Sequence, residues 1–278
     1  MFALDGTRGR AFATRRHTLT GDFRTHAKFH SEFLTTDRDV LVYLPPGYER
    51  EAERRYPVLY LHDGQNLFDG ATSFIPGQEW RVDETAQALI ESQAIEPLII
   101  VGVYNTGRER VEEYTPSADP RFRVGGKAEL YGRLLAEELK PFIDSRYRTR
   151  ADAQNTGLGG SSLGGLVTMY LGLRRPQVYG KLAVVSPSVW WDGRRILRDV
   201  ASFGSKERAR IWLDMGTDEG ANAAADARRL RDALVSKGWR LDSDLKYFEA
   251  QGARHTEADW ALRVDPMLRF LFGQNQGR

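Results

Sequence analysis

GLGGSSLGGL, residues 157–166, sets two adjacent serines among five glycines. The stretch lies at a change of period. Before it, NTGLGG (155–160) closes a short strand-like run. After it, Leu163, Leu166, Val167, Tyr170 and Leu171 recur at i, i+3, i+4, i+7 and i+8, which predicts a helix from about residue 163. Pro176 lies just beyond its other end.

Three motifs put a glycine-rich turn between a strand and a helix. A dinucleotide fingerprint starting at Gly157 needs glycine at position 162, which is Ser162. A phosphate loop from Gly159 through Gly164 needs lysine next, where the chain has Gly165. G-x-S-x-G fits from Gly160 through Gly164 and centres on Ser162. In this elbow the serine sits on a sharp, strained turn that exposes its hydroxyl. The residues two before and two after it pass close to a strand and a helix, so they are expected to be small. Centring on Ser161 would put Leu163 at a small-residue position. Ser162 is therefore the candidate nucleophile and Ser161 structural filler. The plainer alternative is a glycine turn packing a helix on a strand, with both serines as caps.

Working outward, the same alternation recurs. DVLVYLPPGY (39–48), YPVLYLHDG (56–64), PLIIVGVYN (97–105), KLAVVSP (181–187), ARIWLDMG (209–216) and SDLKYFEA (243–250) read as strands ended by turn formers. VDETAQALIES (82–92), KAELYGRLLAEELKPFIDSRY (127–147), LGGLVTMYLGLRR (163–175), GANAAADARRLRDALVSKG (220–238) and ADWALRVDPMLRFLF (258–272) read as helices. Apolar strands alternating with helices indicate an α/β fold, a mostly parallel sheet covered on both faces. Such sheets carry their sites at the carboxyl ends of the strands.

Composition narrows the class. The 278 residues are 41% hydrophobic and 28% charged, as in ordinary globular proteins. The formal net charge is only +2 with signs interspersed, so no nucleic-acid or membrane partner is expected. Arg8, Arg10, Arg15 and Arg16 read as a solvated arm. The absence of cysteine excludes disulfides, thiolate metal sites and a cysteine nucleophile. No apolar run suffices for a membrane span, and the first thirty residues lack a signal-peptide core, so a cytoplasmic location is expected.

A serine needs a base. Elbow folds place the acid and then the histidine after the serine. Of His17, His26, His30, His62 and His255, only His255 follows Ser162. The acid is expected after ARIWLDM, where GTDEG offers Asp218 and Glu219, with Asp214 inside the strand as either a supporting group or a solvated edge residue. The oxyanion hole is expected from the backbone N–H of Leu163 and, in the turn YLHDGQN (60–66), that of Gln65. His62 and Asp63 hint at a metal, but nothing else supports one, and both are expected to be structural. No metal or cofactor is expected.

With these residues assembled, the chain resembles the putative-esterase family of α/β-hydrolases. That family includes enterochelin (siderophore) esterases, feruloyl esterases, S-formylglutathione hydrolases and mycolyltransferases. The resemblance rests on VYLPPGY (42–48), YPVLYLHDGQNLFD (56–69), RVEEYTP (110–116), GSSLGG (160–165), SPSVWW (186–191), GTDEG (216–220) and the surroundings of His255, and the siderophore-esterase-like branch looks nearest. It implies an α/β-hydrolase fold, with Ser162 as nucleophile, His255 as base, Gln65 as oxyanion donor and Glu219 as acid. Residues 36–278 are expected to form the single domain, behind an extension of residues 1–35.

The substrate is then expected to be a small-molecule carboxylic ester with a bulky or aromatic part. Trp190 and Trp191 are expected to overhang the site, while Trp80, Phe68 and Tyr114 lie in loops that could reach it. Arg110 is expected either to orient an acidic group or to anchor its own loop to Glu113. An acyltransferase would use the same triad. A non-catalytic carbohydrate- or siderophore-binding module would not need a general base.

Overall fold

In strands such as VLYLH (58–62), IIVGV (99–103) and KLAVV (181–185), odd and even positions are both apolar, so each face of the sheet acquires its own core. The computed structural model describes residues 16–204 and 209–273. In chain order the strands are β1 (Asp22–Phe29), β2 (Arg38–Leu44), β3 (Val58–His62), β4 (Ile99–Val103), the short hairpin β5 (Ala118–Asp119) and β6 (Val124–Gly125), β7 (Thr156–Ser161), β8 (Lys181–Val185), β9 (Arg210–Gly216) and β10 (Leu245–Ala250). The helices are α1 (Val82–Glu91), α2 (Arg110–Glu113), α3 (Ala128–Arg133), α4 (Lys140–Arg146), α5 (Leu163–Arg174), α6 (Trp191–Ser202), α7 (Ala223–Ser236) and α8 (Glu257–Phe272).

The main sheet has the order β1-β2-β4-β3-β7-β8-β9-β10. From β4 to β10 every pairing is parallel, and β2 runs against both of its neighbours. Val58, Val101, Leu182 and Leu213 pack on one face with α5 and the helices beside it. Leu59, Ile100, Ala183 and Trp212 pack on the other with α1 and α8. The strands and helices expected from the apolar periods are present, and the α/β-hydrolase arrangement with its parallel sheet is the observed fold. The helix expected over 127–147 is interrupted by a π-helical stretch at Leu134–Leu139.

Two elements differ from expectation. The expected boundary at residue 35 falls between two paired strands, because β1 hydrogen-bonds β2 as the edge of the main sheet. Its half-exposed, mixed sequence DFRTHAKF has no apolar stripe to announce a strand. α6 was not expected either, although Ile196 and Val200 are spaced one turn apart and buried. Arg8, Arg10 and Arg15 lie outside the described residues. Among the described residues, no helix is long and apolar enough to cross a membrane.

Candidate active site

β7 ends at Ser161 and α5 begins at Leu163, so Ser162 alone makes the turn. Its backbone takes φ 59° and ψ −121°, a conformation that costs a non-glycine residue about 1–3 kcal/mol. Hydrogen bonds hold it there. Ser162 N–H donates to Val185 O at 3.1 Å, and Ser162 O accepts from Leu166 N–H and Ser188 N–H, each at 3.0 Å.

The glycines around it are needed for space, though not all where expected. A Cβ on Gly160 would lie 2.9 Å from His62 Cδ2, and one on Gly165 would lie 2.7 Å from Val185 O. One on Gly164 would meet nothing nearer than 3.5 Å, an ordinary contact. The close approach after the turn therefore falls at Gly165, not two residues past the serine.

His255 stands in the loop between β10 and α8, and its Nδ1 lies 2.7 Å from Glu219 Oε2. The Glu219 side chain is 1% exposed and the His255 ring 43%. Glu219 Oε1 accepts from Ser186 Oγ at 2.6 Å, Gly216 N–H at 2.8 Å and Arg263 Nη2 at 3.2 Å. Burial opposes its charge, but the bonds from His255 and Ser186 and the Arg263 guanidinium outweigh this and hold the carboxyl below its ordinary pKa. The adjacent Asp218 is exposed. The turn thus brings Glu219, and not Asp218, against the imidazole.

Ser162 and His255 line one cleft of about 380 Å³ together with Gln65, Phe74, Arg110 and Trp260. Among the described residues, the Ser162 hydroxyl is hydrogen-bonded to Ser188 Oγ at 3.3 Å and not to His255. Leu163 is the first residue of α5, so its N–H has no helical acceptor one turn back. Gln65 lies in the turn after β3, its Oε1 accepting from Asn105 N–H at 3.3 Å. His255 also lines a second cleft of about 280 Å³, with Ser188, Trp190, Met215 and Asn222.

Several residues expected near the substrate are elsewhere. Tyr114 is wholly buried between His62 and Tyr131. Trp191 is buried too, with Nε1–H donating to Ser117 O at 2.8 Å, while Trp190 is 44% exposed and does line a cleft. Phe68 and Trp80 belong to the core. Arg110 reaches the cleft, but its guanidinium makes a two-pronged pair with Asp63, at 2.7 Å for each contact. Glu113, the other expected anchor, pairs with Arg38 instead. The pair with Arg110 overcomes the burial of Asp63 and keeps its carboxyl below the usual range. His62 is buried against Tyr131 Oη at 2.9 Å, and burial pushes its pKa down to about 3.

Behind Glu219, sequence reading named Asp214 but missed the side chains that hold it. Arg263 Nη1 donates to Asp214 Oδ1 at 2.7 Å, and Trp212 Nε1 to Asp214 Oδ2 at 2.6 Å. Arg263 left a signal, being a charge on the helix face shared by Trp260, Val264 and Met267. Phe122, in the β5–β6 hairpin, stacks on Trp191 with ring centroids 5.9 Å apart and is 55% exposed. Nothing in its polar surroundings marked it out.

A family model described as "Putative esterase" matches residues 31–271. The chain is 28% identical over 272 residues to an endo-1,4-beta-xylanase/feruloyl esterase of Xylanibacter ruminicola, covering 94% of this chain and 33% of that protein. It is 27% identical over 205 residues to a siderophore enterobactin esterase of Emericella nidulans, covering 63% of this chain and 67% of the relative. The solved BES protein from Bacillus cereus matches with a TM-score of 0.75 at 21% identity, over 95% of this chain and 100% of that one. At that identity the likeness is one of fold. With the family match spanning most of its length, the chain belongs to this esterase family and is a carboxylic ester hydrolase.

Proposed function

We propose that the ester is cleaved through an acyl-enzyme on Ser162, with His255 as general base and Glu219 as the acid that orients it. One observation carries the reading: Glu219 Oε2 lies 2.7 Å from His255 Nδ1, and that histidine shares a cleft with the strained Ser162. In this reading the Ser162 hydroxyl leaves Ser188 and turns toward the imidazole across their shared cleft. His255 then takes the hydroxyl proton as Oγ attacks the ester carbon. The backbone N–H groups of Leu163 and Gln65 stabilise the oxyanion, helped by the positive end of α5. His255 protonates the departing alcohol, and water attacks the acyl-enzyme by the reverse proton path.

The substrate is a neutral or weakly polar ester with a planar, bulky part. The exposed face of Trp190, which lines the second cleft beside His255, supports this, with Phe122 against it at a centroid distance of 6.1 Å. Feruloyl esters and siderophore esters, for which two relatives are named, fit that description.

A fluorophosphonate probe should label the wild type on the peptide containing Ser162. Ser162→Ala should abolish labelling and lower kcat for p-nitrophenyl esters by several orders of magnitude. Labelling at another residue, or a Ser162→Ala variant as active as wild type, overturns the reading.

A further inference from the structure

Glu219 is one end of a buried network larger than its own fixation requires. Its Oε1 is already held by the Gly216 N–H and the Ser186 hydroxyl. Arg263 nevertheless lies between two carboxylates, with Nη2 on Glu219 at 3.2 Å and Nη1 on Asp214 at 2.7 Å. Ser186 Oγ bridges the group, accepting from Arg263 Nη1 and Trp260 Nε1 at 3.1 Å each. Asp214 is 0% exposed, Glu219 1% and Arg263 3%. Glu219 Oε2 leads out of this cluster, toward His255.

Charge balance explains the arrangement better than support does. One carboxylate would suffice to neutralise a buried guanidinium, and a second buried carboxylate costs desolvation free energy. Asp214 holds the shorter contact, so above about pH 6, where it is ionised, it draws the Arg263 charge away from Glu219 and leaves the trio one unit negative. We propose that Asp214 and Arg263 form a charge-sharing pair that tunes how strongly Glu219 attracts the imidazolium of His255, and so the pH at which the enzyme becomes active. This rests on His255 being the base. They are positioning residues and touch no substrate.

Other charged groups face His255. Glu257 approaches from α8, with the closed Asp63–Arg110 pair beyond it, and Arg254 is paired with Asp259 at 3.4 Å. All stay constant when the trio is altered.

The test is kcat/KM for p-nitrophenyl acetate against pH, with near-UV circular dichroism checking the fold of each variant. Asp214→Asn returns the full Arg263 charge to Glu219, and the acid limb should move down by roughly 0.5–1 unit. Arg263→Gln removes the positive charge beside Glu219; Asp214, which burial already raises to about 6, then takes up a proton, so the limb should move up by a smaller amount. The double variant keeps one negative charge and should fall back within about 0.3 unit of wild type. Opposite signs are the signature, since loss of mere support lowers the rate at every pH without moving the limb. Either single variant, if folded, decides the matter alone. An unmoved limb, or a shift of the other sign, overturns the proposal. A wild-type profile flat from pH 5 to 8 instead overturns the assignment of His255 as base.

Discussion

Glu219 reaches His255 because Gly216, three residues earlier, lets the turn fold back: a Cβ there would lie 2.6 Å from Glu219 Oε1 and 2.3 Å from Ala253 O. Chemistry alone could not choose between Asp218 and Glu219, since side-chain direction within a four-residue turn is set by such contacts and not by residue type. Glu219→Gln keeps the volume but lets imidazole settle in the wrong tautomer, and in a serine protease the corresponding change lowers kcat by about 10⁴. A comparable loss is expected here, with Asp218→Asn within roughly tenfold of wild type. Steady-state kinetics of the two purified variants checks this, and a crippled Asp218→Asn would reverse the assignment. Ser162 and His255 stood out in the sequence as candidates because each met a rule of position, one of frame and one of chain order. Arg263 and Asp214 were each visible as charges in apolar settings, but their pairing across 49 residues of sequence was not.

Among the elements, the central strands were legible because both faces bury, giving runs such as VLYLH and IIVGV. β1 was not, since an edge strand with one covered face needs no such run. Aromatic residues in loops were the least legible, because burial and exposure there leave no periodic mark. Trp190 and Trp191 show this, being adjacent but facing solvent and core. Trp190→Ala should therefore lower kcat/KM for aromatic acyl esters by roughly tenfold or less relative to acetyl esters, about the worth of one stacking contact. Trp191→Ala should act on stability instead, costing about 3–5 kcal/mol with little change in that ratio. Paired ester kinetics and urea denaturation distinguish the two, and equal losses on both esters would return Trp190 to a structural role.

For the whole molecule, the pH dependence of folding follows from groups locked in one charge state. His62 is buried neutral with a pKa of about 3, depressed chiefly by burial. Its folded value lies below its unfolded one, so its contribution is complete above about pH 6.5 and is lost as pH falls toward 3, at up to about 1.4 kcal/mol per pH unit. Asp63 and Glu219, also depressed, add losses below about pH 4. Asp214 has the opposite sign: burial raises it to about 6, so its contribution is present at low pH and is lost as pH rises through 6. His62→Gln should lower stability at pH 7 yet flatten its decline between pH 6.5 and 4. Urea midpoints across that range check this, and an unchanged slope would show that His62 does not titrate on unfolding.

The exposure of His255 carries a kinetic consequence. As the base of the proposed mechanism, with its ring 43% exposed while its carboxylate partner is sealed, His255 stands at the boundary between protein and bulk solvent. Once the first alcohol departs, the acyl group is contested by whatever nucleophile arrives at that nitrogen. Water is always at hand there, whereas a rival alcohol has to be gathered from dilute solution and held. Under the proposed acyl-enzyme mechanism the competition would thereby be weighted toward release of the free acid, and the enzyme would clear itself for the next turnover without waiting for a second binding partner.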